Sequence, residues 1–294
     1  MVKSKSIKRK SFQIINIVIL TLLVLSCLLP LWYTLCISLS GKAAVAGGLV
    51  SFWPVDFTLS SYKAIVKDLG FLRSVVVSLQ RVVIGTIFSL IVILLMAYPL
   101  SKNKREFKYR DFFMWILIFC FLFNGGLVPW YITMKNYGLI NTMTGLVLGG
   151  GVPVFNVILV MNFFRNLPKS LEEAAVVDGA GTWRILFSII IPISKPVIAT
   201  VSLFTIVNYW NEFFQGLVLA TSEKMYPLQT YIQQMVVTLN MSNMSLEQYQ
   251  KMSQLSNEGL NAAKIFVAMI PVLLIYPFLQ KYFISGITLG AVKE

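Results

Sequence analysis

The chain has 294 residues, of which 57% are hydrophobic and 13% charged, and its mean hydropathy of +0.75 excludes a water-soluble globular domain. Its net charge of +13 would suit nucleic acid in a soluble protein, but the charges fall between apolar runs, so topology and not a nucleic-acid partner accounts for them.

The N-terminal MVKSKSIKRK precedes a charge-free run from Phe12 to Ile37. A secretory signal has an apolar core of only about 7 to 15 residues, so this run reads as an uncleaved first helix although Ala44-Val45-Ala46 resembles a cleavage site. Further charge-free stretches cover Val82 to Leu100, Phe112 to Met134, Asn136 to Phe164, Pro196 to Asn211 and Ile265 to Gln280. Crossing a bilayer takes about 20 apolar residues. The reading is therefore all-α and polytopic: one membrane domain over 1–294, with six transmembrane helices near 12–37, 82–100, 112–134, 139–164, 188–220 and 262–284. With the N-terminus inside, the inner segments hold sixteen of the 25 Lys and Arg residues, which puts both termini in the cytoplasm by the positive-inside rule.

Gly125-Gly126 and Gly149-Gly150-Gly151 lie inside expected spans, where close helix contact or a broken helix is their use. Cys27, Cys36 and Cys120 have neither metal-ligand spacing nor any histidine to assist them, and read as packing thiols. No nucleophile with its base, phosphate-cradling loop or paired-carboxylate site is apparent, so no catalytic residue, metal site or cofactor is expected in this chain.

A polar, helix-forming segment at 168–192 separates the fourth and fifth spans, on the cytoplasmic side. After Pro168, Ser170-Leu171-Glu172-Glu173 reads as a capping box with Ser170 at the N-cap and Glu173 reaching back to its amide. Ala174 and Ala175 add helix propensity with little bulk. Gly179 and Gly181 permit a tight reversal, Thr182 is placed to cap a second helix carrying Trp183, Ile185, Leu186 and Phe187, and Pro192 and Pro196 interrupt that helix as it enters the membrane. The expected element is a cytoplasmic helix-turn-helix.

On the fifth span, Asn208, Tyr209, Trp210, Asn211, Glu212 and Gln215 form a polar cluster that is costly in hydrocarbon. At helical spacing Asn208, Asn211, Glu212 and Gln215 share a face that suits a substrate path, with Trp210 or Tyr209 as a platform for a sugar ring. Interhelical hydrogen bonding or an interfacial aromatic belt is the competing use. Asn124 in the third span is a weaker candidate for the same path. The extramembrane segment 220–263, rich in Gln, Asn, Ser and Met, suits either a docking surface or a solvated connector.

Glu173-Ala174-Ala175, three residues, Gly179, nine residues, then Ile189-Ile190-Ile191-Pro192 resembles the EAA loop of permease subunits in binding-protein-dependent ABC importers, with Ile191 in place of the usual leucine. Asp178-Gly179-Ala180 with Phe187 and Pro196 is similar to the maltose-type carbohydrate branch. FNGGLVPWYI at 123–132, MYPLQTYIQQ at 225–234 and YPFLQKYFISGITLGAVKE at 276–294 resemble the LplC/YtcP-type oligosaccharide permeases of Gram-positive bacteria. The resemblance implies a plasma-membrane subunit that imports a sugar by alternating access. It implies coupling to a cytoplasmic ATPase through Glu173, Ala174, Ala175, Asp178, Gly179, Gly181 and Pro192, with ATP and Mg held by that partner. It further implies a homologous second permease, two ATPase subunits and an extracellular sugar-binding lipoprotein. The C-terminal Gly290 to Glu294 resembles a tail that in some relatives reaches between the ATPase subunits, a frayed end being the alternative. The alternatives are an ABC permease for another solute and a proton-coupled secondary transporter using Glu212.

Overall fold

The computed structural model describes residues 7–239 and 258–291. Among them the regular structure is helical throughout. In chain order α1 is Ile7–Ser38, α2 Lys42–Ala46, α3 Ser60–Lys67, α4 Leu69–Ser101, α5 Arg110–Leu122, α6 Leu127–Asn136, α7 Met143–Leu148 and α8 Val154–Arg165. There follow α9 Ser170–Val177, α10 Thr182–Ile185, a π-helical turn Leu186–Ile190, α11 Ile191–Ile193, α12 Lys195–Asn211, α13 Phe214–Leu219, α14 Leu228–Leu239 and α15 Glu258–Ala291.

Helix is the secondary structure that the composition demands, because hydrocarbon offers no partner to an unpaired backbone amide or carbonyl. Three helical stretches, Lys10–Ser38, Leu69–Ser101 and Glu258–Ile275, are long and apolar enough to span. Two bent pairs raise the count to as many as five. Three of the six expected spans, 112–134, 139–164 and 188–220, are therefore interrupted at the glycine and proline punctuation that the sequence carries. Inside the expected 112–134 span, α5 and α6 meet at 113°. Gly126 adopts φ +85° there, a region open to glycine, and the Asn124 Oδ1 accepts its amide at 2.9 Å. Inside 139–164, α7 and α8 are separated by Gly149 to Pro153, with Gly151 at φ +67°. Inside 188–220, the run Thr182–Ile193 bends by 82° into α12 at Ser194, and α12 itself stops at Asn211. Pro192 lacks the amide that would close an α-turn, and the π-helical turn lies just before it. The second expected span, 82–100, is the reverse case. It extends back to Leu69 as one continuous helix through Arg81.

The chain folds as two compact units. In the first, residues 1–69 and 235–270, a small core of Cys36, Ala44, Val45 and Val50 gathers α2 against the end of α1. The Trp32 indole donates to the Phe52 carbonyl at 2.7 Å, the Ser38 and Tyr62 hydroxyls lie 2.8 Å apart, and Lys264 pairs with Asp68 at 2.5 Å. In the second, residues 70–234 and 271–294, the core joins Ile93 and Ala97 of α4, Val157, Val160 and Met161 of α8, Ala175 of α9, Ile185 of α10, Leu186 and Ile190 of the π-helical turn, and Val197 and Val201 of α12. These side chains run from the 168–192 segment into the long helices. That segment is therefore packed into the unit and does not hang from it.

Candidate coupling and translocation sites

The 168–192 segment is a helix, a turn and a second helix, but its ends form differently from the sequence expectation. Ser170 is not the N-cap of α9. Lys169 holds the cap position in helical conformation, φ −62° and ψ −29°, with no side-chain capping bond. The amides of Glu172 and Glu173 both donate to the Lys169 carbonyl at 3.0 Å, and that of Leu171 to Pro168. Proline's fixed φ starts the turn early, so the Glu173 amide that a Ser170 cap would take is already satisfied. Glu173 is exposed, and no side-chain partner for it occurs among the described residues. Thr182 likewise is the first helical residue of α10 and not its cap; Gly181, extended at φ −73° and ψ 163°, occupies that position without a side-chain bond.

The turn is built on Gly179. Its φ of +75° lies in the left-handed region, its amide donates to Val176 O at 3.0 Å, and the Ala180 amide donates to Ala175 O at 2.9 Å. These two bonds close a Schellman motif over the end of α9. A Cβ on Gly179 would meet nothing within 4 Å, so conformation and not space requires glycine. The two alanines separate: Ala175 is 6% exposed within the core, while Ala174 faces out with Glu173 and Asp178. Val176, Val177, Trp183 and Phe187 are 62%, 87%, 65% and 57% exposed, and the Trp183 and Phe187 rings stack 6.1 Å apart.

The inner side of α9 is fastened to α4. Glu172 pairs with Lys102, which follows the last residue of α4. The Lys102 ammonium also sits 4.3 Å above the Tyr98 ring, which meets Phe164 edge to face at 6.4 Å. A groove of about 650 Å³ opens beside this contact, lined by Lys102, Asn103, Glu106, Lys169, Glu172 and Glu173 among others.

The polar cluster of the fifth span does not line one face. α12 ends at Asn211, Glu212 is extended at ψ 116°, and Gln215 belongs to α13. Glu212 and Gln215 converge instead on Arg81 of α4, whose side chain is 0% exposed. Arg81 Nε donates to Leu146 O at 3.0 Å and Nη1 to Glu212 O at 3.0 Å. Nη2 donates to Glu212 Oε2 at 2.8 Å and to Gln215 Oε1 at 2.6 Å. The second carboxylate oxygen of Glu212 accepts the Gln215 amide at 2.7 Å, which starts α13. The guanidinium lies 5.6 Å from the centre of the Tyr209 ring, and the Tyr209 hydroxyl donates to Val147 O at 3.0 Å. A buried charge holds only when its hydrogen bonds are met, and this guanidinium has oxygen partners on three sides. Glu212 is thus half of an ion pair.

The remaining path candidates are dispersed. Trp210 is 4% exposed and offers no open ring face. Asn211 is exposed, and the side-chain oxygen of Asn124 is used on its own turn. Asn208 lines a cavity of about 480 Å³ with Asn156, Cys120, Phe155 and Phe204. The Asn156 amide donates to Thr205 at 3.3 Å. That cavity pairs aromatic walls with amide groups, the chemistry that binds a sugar ring. Sequence reasoning missed Arg81, placed just outside a span, and Asn156. The available signal was an arginine within the apolar stretch VVVSLQRVVIGTIFSL. Among the described residues no group of His, Cys, Asp and Glu could hold a metal ion.

Residues 3–289 match the family described as the binding-protein-dependent transport system inner membrane component. The chain is 36% identical over 282 residues to Protein LplC of Bacillus subtilis, covering 96% of this chain and 95% of that one. It is 34% identical over 286 residues to the polygalacturonan/rhamnogalacturonan transport system permease protein YtcP of the same organism, covering 97% and 99%. Among solved structures, a bacterial ABC transporter involved in the import of the acidic polysaccharide alginate has a chain that superposes with a TM-score of 0.86 at 34% identity, covering 96% of this chain and 100% of that one.

Proposed function

From the premise that the chain belongs to the binding-protein-dependent transport system inner membrane components, we propose that it carries an oligosaccharide into the cell, in six crossings with both termini in the cytoplasm. It is a membrane-embedded permease subunit of an ABC importer, a transport component and not an enzyme, and the family couples such subunits to an ATPase and a substrate-binding protein. The observation that carries the sugar assignment is full-length similarity to a permease named for polygalacturonan and rhamnogalacturonan transport, alongside that to a chain of the alginate importer.

The 168–192 segment is the coupling element. The outward face with Glu173, Ala174, Val176, Val177 and Asp178, together with the stacked Trp183 and Phe187, seats in an ATPase subunit. Support comes from its composition: exposed apolar side chains beside acids, on an element anchored to the core through Ala175 and Ile185, mark a docking surface. Gly179 sets the elbow, Gly181 leads in extended conformation into the second helix, and Pro192 lies just before the bend into the membrane. A homologous second permease, two ATPase subunits that hold ATP and Mg, and an extracellular sugar-binding lipoprotein complete the assembly; this chain needs no cofactor. The cavity bearing Asn208 and Asn156 lies on the substrate path. Membership of a Gram-positive bacterium fits the Bacillus relatives.

Deletion of the gene should abolish uptake of one of a panel of labelled galacturonan, rhamnogalacturonan and alginate oligomers, and the intact gene should restore it. If every oligosaccharide enters normally while a peptide or amino acid no longer does, the sugar assignment is overturned.

A further inference from the structure

In unit two, α4 is continuous while the elements around it are broken. Breaks fall at Phe123 to Gly126, at Gly149 to Pro153 and at Glu212-Phe213, and α12 is entered through an 82° bend. At one end α4 meets the coupling segment through Lys102 and Glu172. Roughly 30 Å away along the helix, at about 1.5 Å per residue, Arg81 holds the other contact. Arg81 grips two breaks at once: Leu146 O belongs to α7 just before the glycine gap, and Glu212 is the extended residue that follows the end of α12.

We propose that α4 is a connecting rod, with Lys102–Glu172 and Arg81–Glu212 as its two clips, that carries displacement of α9 to the broken ends of α7 and α12. The inference rests on the coupling role given above to the 168–192 segment. A hydrogen-bonded helix transmits a push along its axis, whereas an interrupted one absorbs it in a few backbone dihedrals. The Arg81 clip joins the continuous helix to interrupted ones, and the Lys102 clip ties the end of that helix to α9. Pro99 removes a helical hydrogen bond only in the last turn, beside Lys102. The Arg81 site also fixes direction: its donors meet backbone carbonyls on both sides, so α7 and the start of α13 follow α4 together. Lys102 and Arg81 act here as positioning residues for transport.

The test uses the complete importer in proteoliposomes, with whichever oligomer of the panel the wild type takes up fastest, and reads ATP hydrolysed per sugar delivered. Lys102→Met and Glu212→Gln should each raise that ratio about tenfold, the size of an ordinary coupling between sites. Glu212→Gln removes the charge and leaves one side-chain oxygen for Arg81, at the cost of the oxygen that takes the Gln215 amide. Because the clips are in series, the double variant should be no worse than the poorer single one. Exchange of the first pair, Lys102→Glu with Glu172→Lys, should recover most of the loss. Wild-type ratios in either single variant, or losses that multiply in the double, overturn the rod. So does a Glu212→Gln chain that fails to assemble, since the clip would then serve construction and not coupling. A wild-type importer that moves no oligomer would instead sink the sugar assignment.

Discussion

At the residue scale, one tightly constrained site is where α4 and α12 touch. A Cβ on Gly85 would come within 2.6 Å of the Tyr209 ring. That ring is held in place by its hydroxyl on Val147 O and by the Arg81 guanidinium over its face, so it has nowhere to retreat. Gly85→Ala should therefore overpack the contact and cost about 1–3 kcal/mol, the usual scale for an added methyl in a tight core. Thermal unfolding of the detergent-purified chain checks it; an unchanged midpoint would mean the ring moves freely. Substituting small for smaller is normally benign inside a membrane bundle. Here the neighbouring charge removes the slack.

The element scale is where glycine and proline act. α9 can end and reverse only because Gly179 takes a left-handed φ, which costs an ordinary L-residue about 1–2 kcal/mol and a β-branched one more. The Cβ of Gly179→Val meets nothing within 4 Å, so the protein should still insert and assemble, with the elbow reset. The expected outcome is ATP hydrolysis that no longer drives uptake, read by measuring both in reconstituted vesicles. Wild-type uptake would remove Gly179 from the coupling element. Gly181 is a contrast: its extended backbone suits any residue, so its replacement should be mild. The same distinction shows which part of this element the sequence revealed. The reversal at Gly179 was legible because a positive φ has a residue signature. The helix starts were not, because Pro168 and Gly181 fix the cap position by backbone geometry and leave Ser170 and Thr182 inside their helices.

For the whole molecule, a permease that draws on ATP through a partner needs no ion gradient of its own. Glu212 held by Arg81 agrees with that, since a proton carrier has to release its partner in each cycle. Collapse of the proton gradient at constant ATP should leave the initial rate of uptake unchanged, and ATP depletion at a constant gradient should abolish it. The opposite pattern, measured in vesicles with labelled oligomer, would replace ATP coupling with proton coupling.

Membrane residence, helical class and the elbow at 179 follow from the sequence by itself, because hydrocarbon dictates apolar length and internal hydrogen bonding wherever a segment ends up. The resemblance at 173–192 added the class of partner. What the tertiary structure decided is which polar groups meet. Arg81 and Glu212 are 131 residues apart, Lys102 and Glu172 are 70, and no local periodicity links them. Asn208, Asn211, Glu212 and Gln215 looked like one face only under an unbroken helix, and at the break a guanidinium on another helix takes both the carbonyl and the carboxylate of Glu212. A charge that must be neutralised in a low-dielectric interior finds its partner through packing, so its role becomes readable only when the helices are together.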